Sequence, residues 1–346
     1  MQNRVFFLLI VSCTLVLAFS ACYRAQTPSV EVQPVRAEFV IGTVCAVTLY
    51  HYANEQVYRD VFARLREIEN LMSVNISDSY VARINQAAGL EPVEVPDDVF
   101  TVIQRALYFA ELSGGAFDPT IGPLVSLWDI GGDNQRVPSP QEIAAVLPLI
   151  NWRDVELDAG QQTVFLRRQG MALDLGAIAK GFAADEAAVI IREAQINQAI
   201  VDLGGNILTI GVKQDGTPWR VGLQNPLENR GAYFGIVTDW ENTVVTSGVY
   251  ERNFIFDGTV YHHLFSPTVG YPVRNGLLAV AIVAANSMDS DALSTAVFVM
   301  GYERGMALIE SLDGVEAIFV FEDMSIRKTG GIDFTLTDEE YRLLSD

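Results

Sequence analysis

Residues 288 to 298, "MDSDALSTAVF", place two acidic side chains at the start of a segment that is otherwise small or apolar. If this segment is helical, Asp291 and Thr295 are four residues apart and share one face, so a carboxylate and a hydroxyl converge. Oxygen ligands suit a hard cation such as Mg²⁺, which uses few protein ligands. A buried carboxylate is costly unless a cation or donors meet it, so we expect a positive partner. The alternative is that Asp289 or Asp291 only favours a helix N-terminus, with Thr295 in the core.

A second segment suited to chemistry is "LDLGAIAKGFAAD", residues 173 to 185, where a strand end meets a helix start. Its small residues let a ligand approach the backbone, and Lys180 in the first helical turn, beside free N–H groups, favours phosphate. The segment is not a Walker A loop, because it lacks the Gly-Lys-Ser/Thr sequence. A tight turn with a solvated lysine would explain the same pattern.

A third segment, residues 113 to 128, "SGGAFDPTIGPLVSLW", holds an aromatic ring next to a carboxylate. A helix is expected to end at the double glycine, and Pro119 then fixes the chain, so that Phe117 and Asp118 have set orientations. The alternative is a capped loop with a core phenylalanine.

A fourth segment, residues 246 to 272, contains two of the three histidines of the chain. His262 and His263 are adjacent, and in a strand adjacent side chains face opposite sides. The two rings cannot easily ligate one metal ion, so the sequence does not predict a zinc pair.

The elements that would position these side chains include both helices and strands. Apolar spacing of three and four predicts helices, and β-branched runs bounded by Gly, Asn and Asp predict strands. The predicted helices cover residues 54–73, 97–113, 141–147 and 177–194 and, as a pair, 288–312; the predicted strands cover 38–50, two short runs in 154–174, many short runs in 198–285, and 315–321. Because no interdomain linker follows residue 37, we expect one integrated α+β unit with a helical lobe near residues 54–150.

The first residues have the pattern of an export signal. Arg4, a long apolar run and then "SAC" ending at Cys22 are typical of a bacterial lipoprotein. We therefore expect residues 1–21 to be removed, Cys22 to carry lipid, residues 22–37 to form a tether, and residues 38–346 to be the domain. Such a protein would lie at the periplasmic face of the cell envelope. The alternative is an ordinary cleaved signal with an incidental cysteine.

The charge of the chain limits its partners. The formal net charge is −20 at pH 7, which argues against nucleic acid and against anionic membrane patches. A phosphate-bearing substrate would need a local cation. After signal removal only Cys22 and Cys45 remain, so if Cys22 carries lipid, no intramolecular disulfide can form.

Taken together and in this order, the segments resemble the signatures of the ApbE family of flavin transferases. The matching stretches, within roughly residues 38–330, are "GGAFDPTIGPL", "DLGAIAKGFAAD", "TSGVYER", "HHLFSPTVGYP" and "DALSTAVFVMG". Members of this family are extracytoplasmic enzymes that use FAD and magnesium to place FMN on a threonine or serine of a target protein. The resemblance implies a single ApbE-type, T-fold-like catalytic unit with a helical lobe.

The resemblance also implies roles for individual residues. Ala177, through its backbone oxygen, and Asp291 and Thr295, through their side chains, match the ligands of Mg²⁺, and Mn²⁺ fits the same oxygen set. His263 matches the histidine that assists transfer, with Asp291 as the other catalytic residue. The matches to FAD contacts are Asn75, Ala116, Phe117, Asp118, Asp174, Lys180 and Leu264.

Three positions depart from the family pattern, namely Ile41, Asn75 and Ser266. Asn75 stands where most members have a tyrosine that packs on the flavin nucleotide, and an aromatic ring contributes both area and stacking. The "SVN" sequence at this point resembles spirochaete-type members, which are similar to FAD-hydrolysing versions of the family.

The function implied by the resemblance is Mg²⁺-dependent cleavage of the FAD pyrophosphate. FMN would pass to a threonine or serine of a target redox protein, FAD would be hydrolysed to FMN and AMP, or both would occur. The alternative is a non-catalytic flavin-binding lipoprotein that scavenges FAD, and binding alone needs no metal. No nucleic-acid partner is expected, and the membrane would be reached through the lipid anchor.

Overall fold

The chain folds into seventeen strands and eight α-helices over the described residues. The computed structural model describes residues 35–50, 54–239 and 241–344. The strands are β1 (Arg36–Val40), β2 (Thr43–Leu49), β3 (Val93–Glu94), β4 (Val155–Asp158), β5 (Thr163–Leu166), β6 (Ala199–Leu203), β7 (Asn206–Ile210), β8 (Trp219–Gln224), β9 (Tyr233–Asp239), β10 (Thr243–Gly248), β11 (Asn253–Phe256), β12 (Thr259–His262), β13 (Leu277–Ala284), β14 (Glu316–Phe321), β15 (Ser325–Lys328), β16 (Phe334–Leu336) and β17 (Arg342–Leu343). The helices are α1 (Glu55–Met72), α2 (Tyr80–Gln86), α3 (Asp97–Leu112), α4 (Gly122–Trp128), α5 (Pro140–Val146), α6 (Ala179–Glu193), α7 (Ser287–Met300) and α8 (Tyr302–Glu310).

A nine-stranded sheet organises these elements, with strand order β1-β2-β6-β7-β10-β13-β14-β15-β17. Each neighbouring pair is antiparallel except β15 and β17, which are parallel. Three smaller sheets have the orders β16-β9-β8, β3-β5-β4 and β11-β12. Helix α6 contacts β6 and β7, and α7 contacts β10 and β13. The two helices that carry most of the chemistry predicted from sequence therefore lie side by side on the large sheet.

At its centre the large sheet is buried on both faces, and β13 shows how its sequence achieves this. Val280 and Ile282 pack into the core beneath the helices, whereas Ala279 and Ala281 pack into a second core under the β16-β9-β8 sheet. Successive side chains of a strand point to opposite faces, so a continuous apolar run serves both cores. The near-continuous "LLAVAIVA" of β13 is the sequence signature of this double burial.

The expected α+β unit is observed, and most predicted elements are present. The helices predicted at 54–73, 97–113 and 177–194 correspond to α1, α3 and α6, and the predicted helix pair corresponds to α7 and α8. Val61 of α1 and Ile103 of α3 belong to the same core as the strands, so the helical lobe shares its core with the sheet. The helix predicted at 141–147 corresponds to α5, whereas α2 and α4, which also have seven residues each, were not predicted. Strand β1 begins at Arg36, two residues inside the predicted tether.

The predicted signal segment and Cys22 lie outside the described residues. Within 35–50, 54–239 and 241–344, no helix is long and apolar enough to cross a bilayer. Cys45 is a buried free thiol, and burial raises its pKa to about 12.

Candidate active site

The site begins where α6 and α7 cross at close range. A Cβ atom on Gly181 would lie 2.2 Å from the carbonyl oxygen of Ser287, so only glycine allows this approach. The Asp185 carboxylate accepts hydrogen bonds from the amides of Ser287 at 3.0 Å and Met288 at 2.9 Å, which are N–H groups of the first turn of α7. Burial raises the pKa of Asp185 to about 6, and the two amide bonds oppose that shift. The register of the two helices is thus fixed by a glycine contact and a carboxylate cap.

This register places the Asp291 carboxylate against the start of α6. Asp291 is 3 % exposed. The amide of Gly181 donates to its Oδ2 at 3.0 Å, and Lys180 Nζ lies 3.3 and 3.4 Å from its two oxygens. Gly181 lies in the first turn of α6, where amides have no partner within the helix, and Asp291 accepts this amide from outside it. The cation expected beside a buried carboxylate is therefore the Lys180 ammonium.

Asp289, two residues earlier on α7, has a different partner. Arg105 of α3 donates to both of its oxygens, from Nε to Oδ1 at 2.7 Å and from Nη2 to Oδ2 at 2.6 Å. This bidentate ion pair therefore holds α7 against α3. Asp289 does not line the cavity described below.

Thr295 lies one turn after Asp291 and completes a row of oxygen atoms. Its hydroxyl is 3.4 Å from the Ser247 hydroxyl on β10, which is 2.8 Å from the Ser294 hydroxyl. Thr295 is partly exposed and lines the same cavity as Asp291. The alternative placement of Thr295 in the apolar core is therefore wrong.

The segment after α3 forms another wall of the cavity. Gly114 and Gly115 have φ of +65° and +86°, which glycine adopts without strain, and they turn the chain into this wall. The Asp118 carboxylate accepts bonds from the Thr120 amide at 2.8 Å and the Thr120 hydroxyl at 2.6 Å. It also accepts one from the Trp152 amide at 3.2 Å. Burial raises the pKa of Asp118, and these donors lower it. Asp118 is thus held in one orientation by its own loop and by the Trp152 amide.

His262 and His263 face opposite sides, as adjacent residues of an extended segment should. His262 is buried, with Nε2 2.9 Å from the carbonyl of Val273, whereas His263 lines the cavity. Nδ1 of His263 lies 3.2 Å from the carbonyl oxygen of Arg252. Because a carbonyl only accepts, we assign the proton to Nδ1, which leaves Nε2 as an acceptor. Burial, followed by the charge of Arg252, lowers the pKa of His263 to about 3, so the ring is neutral at pH 7.

One cavity of about 160 Å³ collects nearly all the side chains selected from the sequence. Its lining includes Ala116, Phe117, Asp118, Asp174, Ala177, Lys180, His263, Leu264, Asp291 and Thr295. Asn75 is exposed in the loop after α1 and is not part of this lining. Ten residues from four separate segments therefore meet at one place.

Glu251 and Arg252 belong to the matching stretch "TSGVYER" but were given no individual role, and both line this cavity. Both lie just before the β11–β12 hairpin, whose pairing of Asn253 with His262 brings Arg252 next to His263. Glu251 lines the cavity, and desolvation there raises the pKa of its carboxyl to about 7. The charge of Lys180 opposes this shift, and the charge of Asp291 adds to it. The signal that could have found them is the turn dipeptide Asp-Gly inside "NFIFDGTVYH", which predicts the hairpin.

The oxygen atoms of the site suit one kind of metal ion. Among the described residues, no group of three or more His, Cys, Asp or Glu side chains is placed to hold a metal. The ligands that the resemblance assigns are the Ala177 carbonyl, the Asp291 carboxylate and the Thr295 hydroxyl, and all three residues line the cavity. An all-oxygen set with one carboxylate fits Mg²⁺, which completes its shell with water and phosphate oxygens, and does not fit zinc.

Solved structures with this architecture are flavin transferases and their homologues. The ApbE protein from Thermotoga maritima is 32% identical, with a TM-score of 0.78 over 88% of this chain and 97% of that chain. Flavin transferase ApbE from Vibrio cholerae is 27% identical, with a TM-score of 0.75 over 89% of this chain and 97% of that chain. The fold and the site therefore define an ApbE-type protein.

The sequence comparisons agree with the structural ones. The ApbE family model matches residues 41–319, and this chain belongs to the ApbE family. A FAD:protein FMN transferase of Treponema pallidum (strain Nichols) is 41% identical over 86% of this chain and 87% of its own length. A protein of the same description from Klebsiella pneumoniae (strain 342) is 37% identical over 88% of this chain and 95% of its own length.

Proposed function

We propose that this chain is a FAD:protein FMN transferase that cleaves the pyrophosphate of FAD and passes FMN to a threonine or serine of a target protein. One observation carries the proposal. The Asp291 carboxylate, fixed by the Gly181 amide, lines one cavity together with Ala177, Thr295 and Lys180. That arrangement brings oxygen ligands and a cation together where a pyrophosphate would need both.

The binding roles follow from the walls of the cavity. Phe117 and Leu264 offer buried apolar surface for the flat rings of the dinucleotide, and Ala116 is small enough to let them approach. Lys180 supplies positive charge for the phosphates at the first turn of α6, where the helix dipole also favours anions. Asp174 accepts from the Gly176 amide at 2.8 Å and so shapes the turn that leads into α6.

The Ala177 carbonyl, the Asp291 carboxylate and the Thr295 hydroxyl would hold Mg²⁺, and Mn²⁺ fits the same oxygen set. When bound, such a cation would supply Lewis acidity to the pyrophosphate oxygens. The Lys180–Asp291 contact is long at 3.3 Å, so the ammonium can turn from the carboxylate to a phosphate. Ser247, hydrogen-bonded to Ser294, holds the Thr295 hydroxyl on the cavity side.

The transfer step needs a proton acceptor, and His263 fits that role. The hydroxyl oxygen of the target bonds to the FMN phosphorus, and the bond from that phosphorus to the bridging oxygen breaks, so AMP leaves with both bonding electrons. The hydroxyl proton passes to Nε2 of the neutral His263 ring and then to solvent. The proton on Nδ1 stays hydrogen-bonded to the Arg252 carbonyl, which orients the ring.

Hydrolysis of FAD to FMN and AMP is the second activity that we propose. The same phosphorus would be attacked by water in place of a protein hydroxyl. The observation in favour is that Asn75 is exposed outside the cavity lining and offers no aromatic ring to cover bound nucleotide. Water would then reach the site when no target is present.

The test is incubation of the purified chain with FAD and MgCl₂, with and without EDTA, in the presence and absence of a threonine-containing protein extract. AMP, free FMN and protein-linked flavin are quantified by chromatography and mass spectrometry. Transfer predicts AMP in equal amount to protein-linked FMN, and EDTA should abolish both. FAD that is bound tightly but recovered intact with Mg²⁺ present would instead identify a flavin-scavenging protein.

We also propose that the mature protein is an envelope lipoprotein anchored through Cys22 at the periplasmic face. The support is the apolar run that ends in "SAC". Cells grown with a fatty-acid analogue should label the wild-type protein and not Cys22→Ala. Equal labelling of both would show that the segment is an ordinary signal.

A further inference from the structure

A second, larger cavity adjoins the first. Its volume is about 670 Å³, against about 160 Å³ for the first. One of its walls is the β1–β2 hairpin, and the other is formed by β8, the start of β9 and the loop between them. We call it the hairpin groove.

The two cavities meet at a shared set of residues. The residues that line both are Lys180, Gly204, Gly205, Thr246, Glu251 and Arg252. Of the positions that the family resemblance assigns to FAD, only Lys180 belongs to the hairpin groove. The groove therefore meets the proposed FAD site at Lys180, the residue proposed to bind its phosphates, and not at the other assigned contacts.

The rim of the groove carries exposed apolar side chains. Phe39 and Val44 are directly paired across the β1–β2 hairpin and are 76% and 50% exposed, and Tyr233 on the opposite wall is 51% exposed. Large apolar side chains that are exposed and gathered at one cleft mark a surface for a partner. Water and small ions would gain nothing from such a rim.

Strand β8 adds main-chain groups to this surface. It pairs with β9 alone among the described residues, so its other edge has no strand neighbour there. Four consecutive residues, 221 to 224, line the groove. One face of a strand would contribute only alternate residues, so the groove runs along the strand edge. An extended polypeptide can pair with such an edge by main-chain hydrogen bonds.

Acidic and basic side chains are equal in number in the groove. Its lining holds three acidic residues, Asp202, Glu228 and Glu251, and three basic residues, Lys180, Arg230 and Arg252. The groove therefore lacks the strong acidity of the chain as a whole, whose net charge is −20. A segment that binds there would be selected by its backbone and its apolar side chains rather than by net charge.

We propose that the hairpin groove binds the target protein as an extended segment and delivers its threonine or serine hydroxyl to the FMN phosphorus. This inference rests on the proposed transferase function. Displacement at phosphorus places the attacking and leaving oxygens roughly in line. FAD in the first cavity occupies the leaving side, so the hydroxyl needs a second entrance, and the groove meets the first cavity at Lys180. The bonds made and broken are those of the transfer step above.

The probe for the test is a library of random segments of about ten residues, each with a central threonine, fused to a carrier protein; a segment of this length exceeds a typical strand. FMN attachment is read by mass spectrometry after incubation with FAD and MgCl₂. The variant is Phe39→Asp combined with Tyr233→Asp. The matched control is Leu90→Asp combined with Val189→Asp, which changes exposed apolar residues outside both cavities. FAD affinity is measured for all forms by flavin fluorescence.

The groove variant should label the library at least about tenfold more slowly than the wild type, because two apolar contacts are lost. Its FAD affinity should be unchanged, and the control should label at the wild-type rate. Equal labelling by groove variant and wild type would overturn the inference and leave the transferase function standing. Failure of the wild type to label any segment, while it cleaves FAD, would remove both the transferase function and the groove's role.

A membrane contact would give a different result. Vesicles of phosphatidylethanolamine and phosphatidylglycerol are mixed with the chain lacking residues 1–22, so that no lipid anchor contributes. If the wild type sediments with vesicles, the groove variant does not, and labelling is the same for both, the apolar rim serves the membrane and the inference is wrong.

Discussion

The two carboxylates at the start of α7 lie two residues apart and have opposite surroundings. Asp289 faces α3, where the guanidinium of Arg105 donates to both oxygens at 2.6 and 2.7 Å. Asp291 faces the cavity, where its nearest cation, Lys180, is 3.3 Å away on a flexible side chain. Both oxygens of Asp289 are hydrogen-bonded to one arginine, so this carboxylate serves helix packing. Asp291 has only a long contact to a lysine and lines the cavity, so it can bind another ligand. Function on this helix is therefore set by the partner and not by the residue type.

Removing each carboxylate in turn should give the largest difference between the two positions. Asp291→Asn should lower Mg²⁺-dependent FAD cleavage by about a thousandfold, because the lost metal contact is worth several kcal/mol in the transition state. Asp289→Asn, the matched control, should leave the rate within about threefold, which is less than ~1 kcal/mol. Initial rates of AMP release at saturating MgCl₂ measure both. Comparable losses in the two variants would mean that both carboxylates act only through the helix.

The close approach of α6 to α7 at Gly181 can itself be disturbed. Gly181→Ala places a Cβ atom against the Ser287 carbonyl and the Met288 Cα, so the helices must move apart. Overpacking of this kind costs about 1–3 kcal/mol, and we expect FAD cleavage to fall with it because the Gly181 amide leaves Asp291. Gly330→Ala is the control, since nothing lies within 4 Å of the Cβ it would add. Urea unfolding gives the stability, and full activity in Gly181→Ala would show that the close approach is not needed.

Loss of the Arg105–Asp289 ion pair should lower stability without changing FAD binding. Arg105→Met removes the bidentate partner of Asp289, and because both side chains are partly exposed we expect a cost of only about 1 kcal/mol in the free energy of unfolding. FAD affinity should not change. Loss of FAD affinity at unchanged stability would place Arg105 in the binding site and would contradict its role in helix packing.

Sequence reasoning located the cavity side of α7 because its signal is local. Asp291 and Thr295 share a face by helical spacing alone, and Lys180 stands in the first turn of a predicted helix. The partner of Asp289 could not be predicted, because Arg105 lies 184 residues away in sequence and its approach depends on how α3 packs. The same holds for Gly181, whose need for glycine arises only when α7 lies against it.

The wall around His263 shows the same limit. The alternation of a strand predicted that His262 and His263 would face opposite sides, and this is observed. Nothing in the sequence indicated that the Arg252 carbonyl would hold Nδ1, since that contact depends on the pairing of β11 with β12. The longer elements were therefore predictable from periodicity, and contacts between distant elements were not.

The protonation state of His263 gives a further prediction. Because its pKa is lowered to about 3, the ring should stay neutral from pH 8 down to pH 5. Nitrogen-15 chemical shifts of the imidazole rings should show one protonated nitrogen, Nδ1, throughout that range, and His263→Gln identifies the signal by its loss. A titration centred near the ordinary value of about 6.5 would contradict the assigned burial and the assigned tautomer.

The smallest effect is expected at Asn75, which lies outside the cavity lining. Asn75→Tyr should tighten FAD binding by about 2- to 10-fold, because a stacked ring is worth roughly 0.5–1.5 kcal/mol beyond its burial. This gain would lower KM without raising kcat, since ground-state binding does not lower the barrier. FMN release to water should slow if the ring covers the bound nucleotide. Val74→Tyr is the matched control, because Val74 is the exposed neighbour that also lies outside the lining. FAD affinity by fluorescence and FMN release by chromatography measure the effect, and equal values for wild type and both variants would mean that position 75 does not reach the nucleotide.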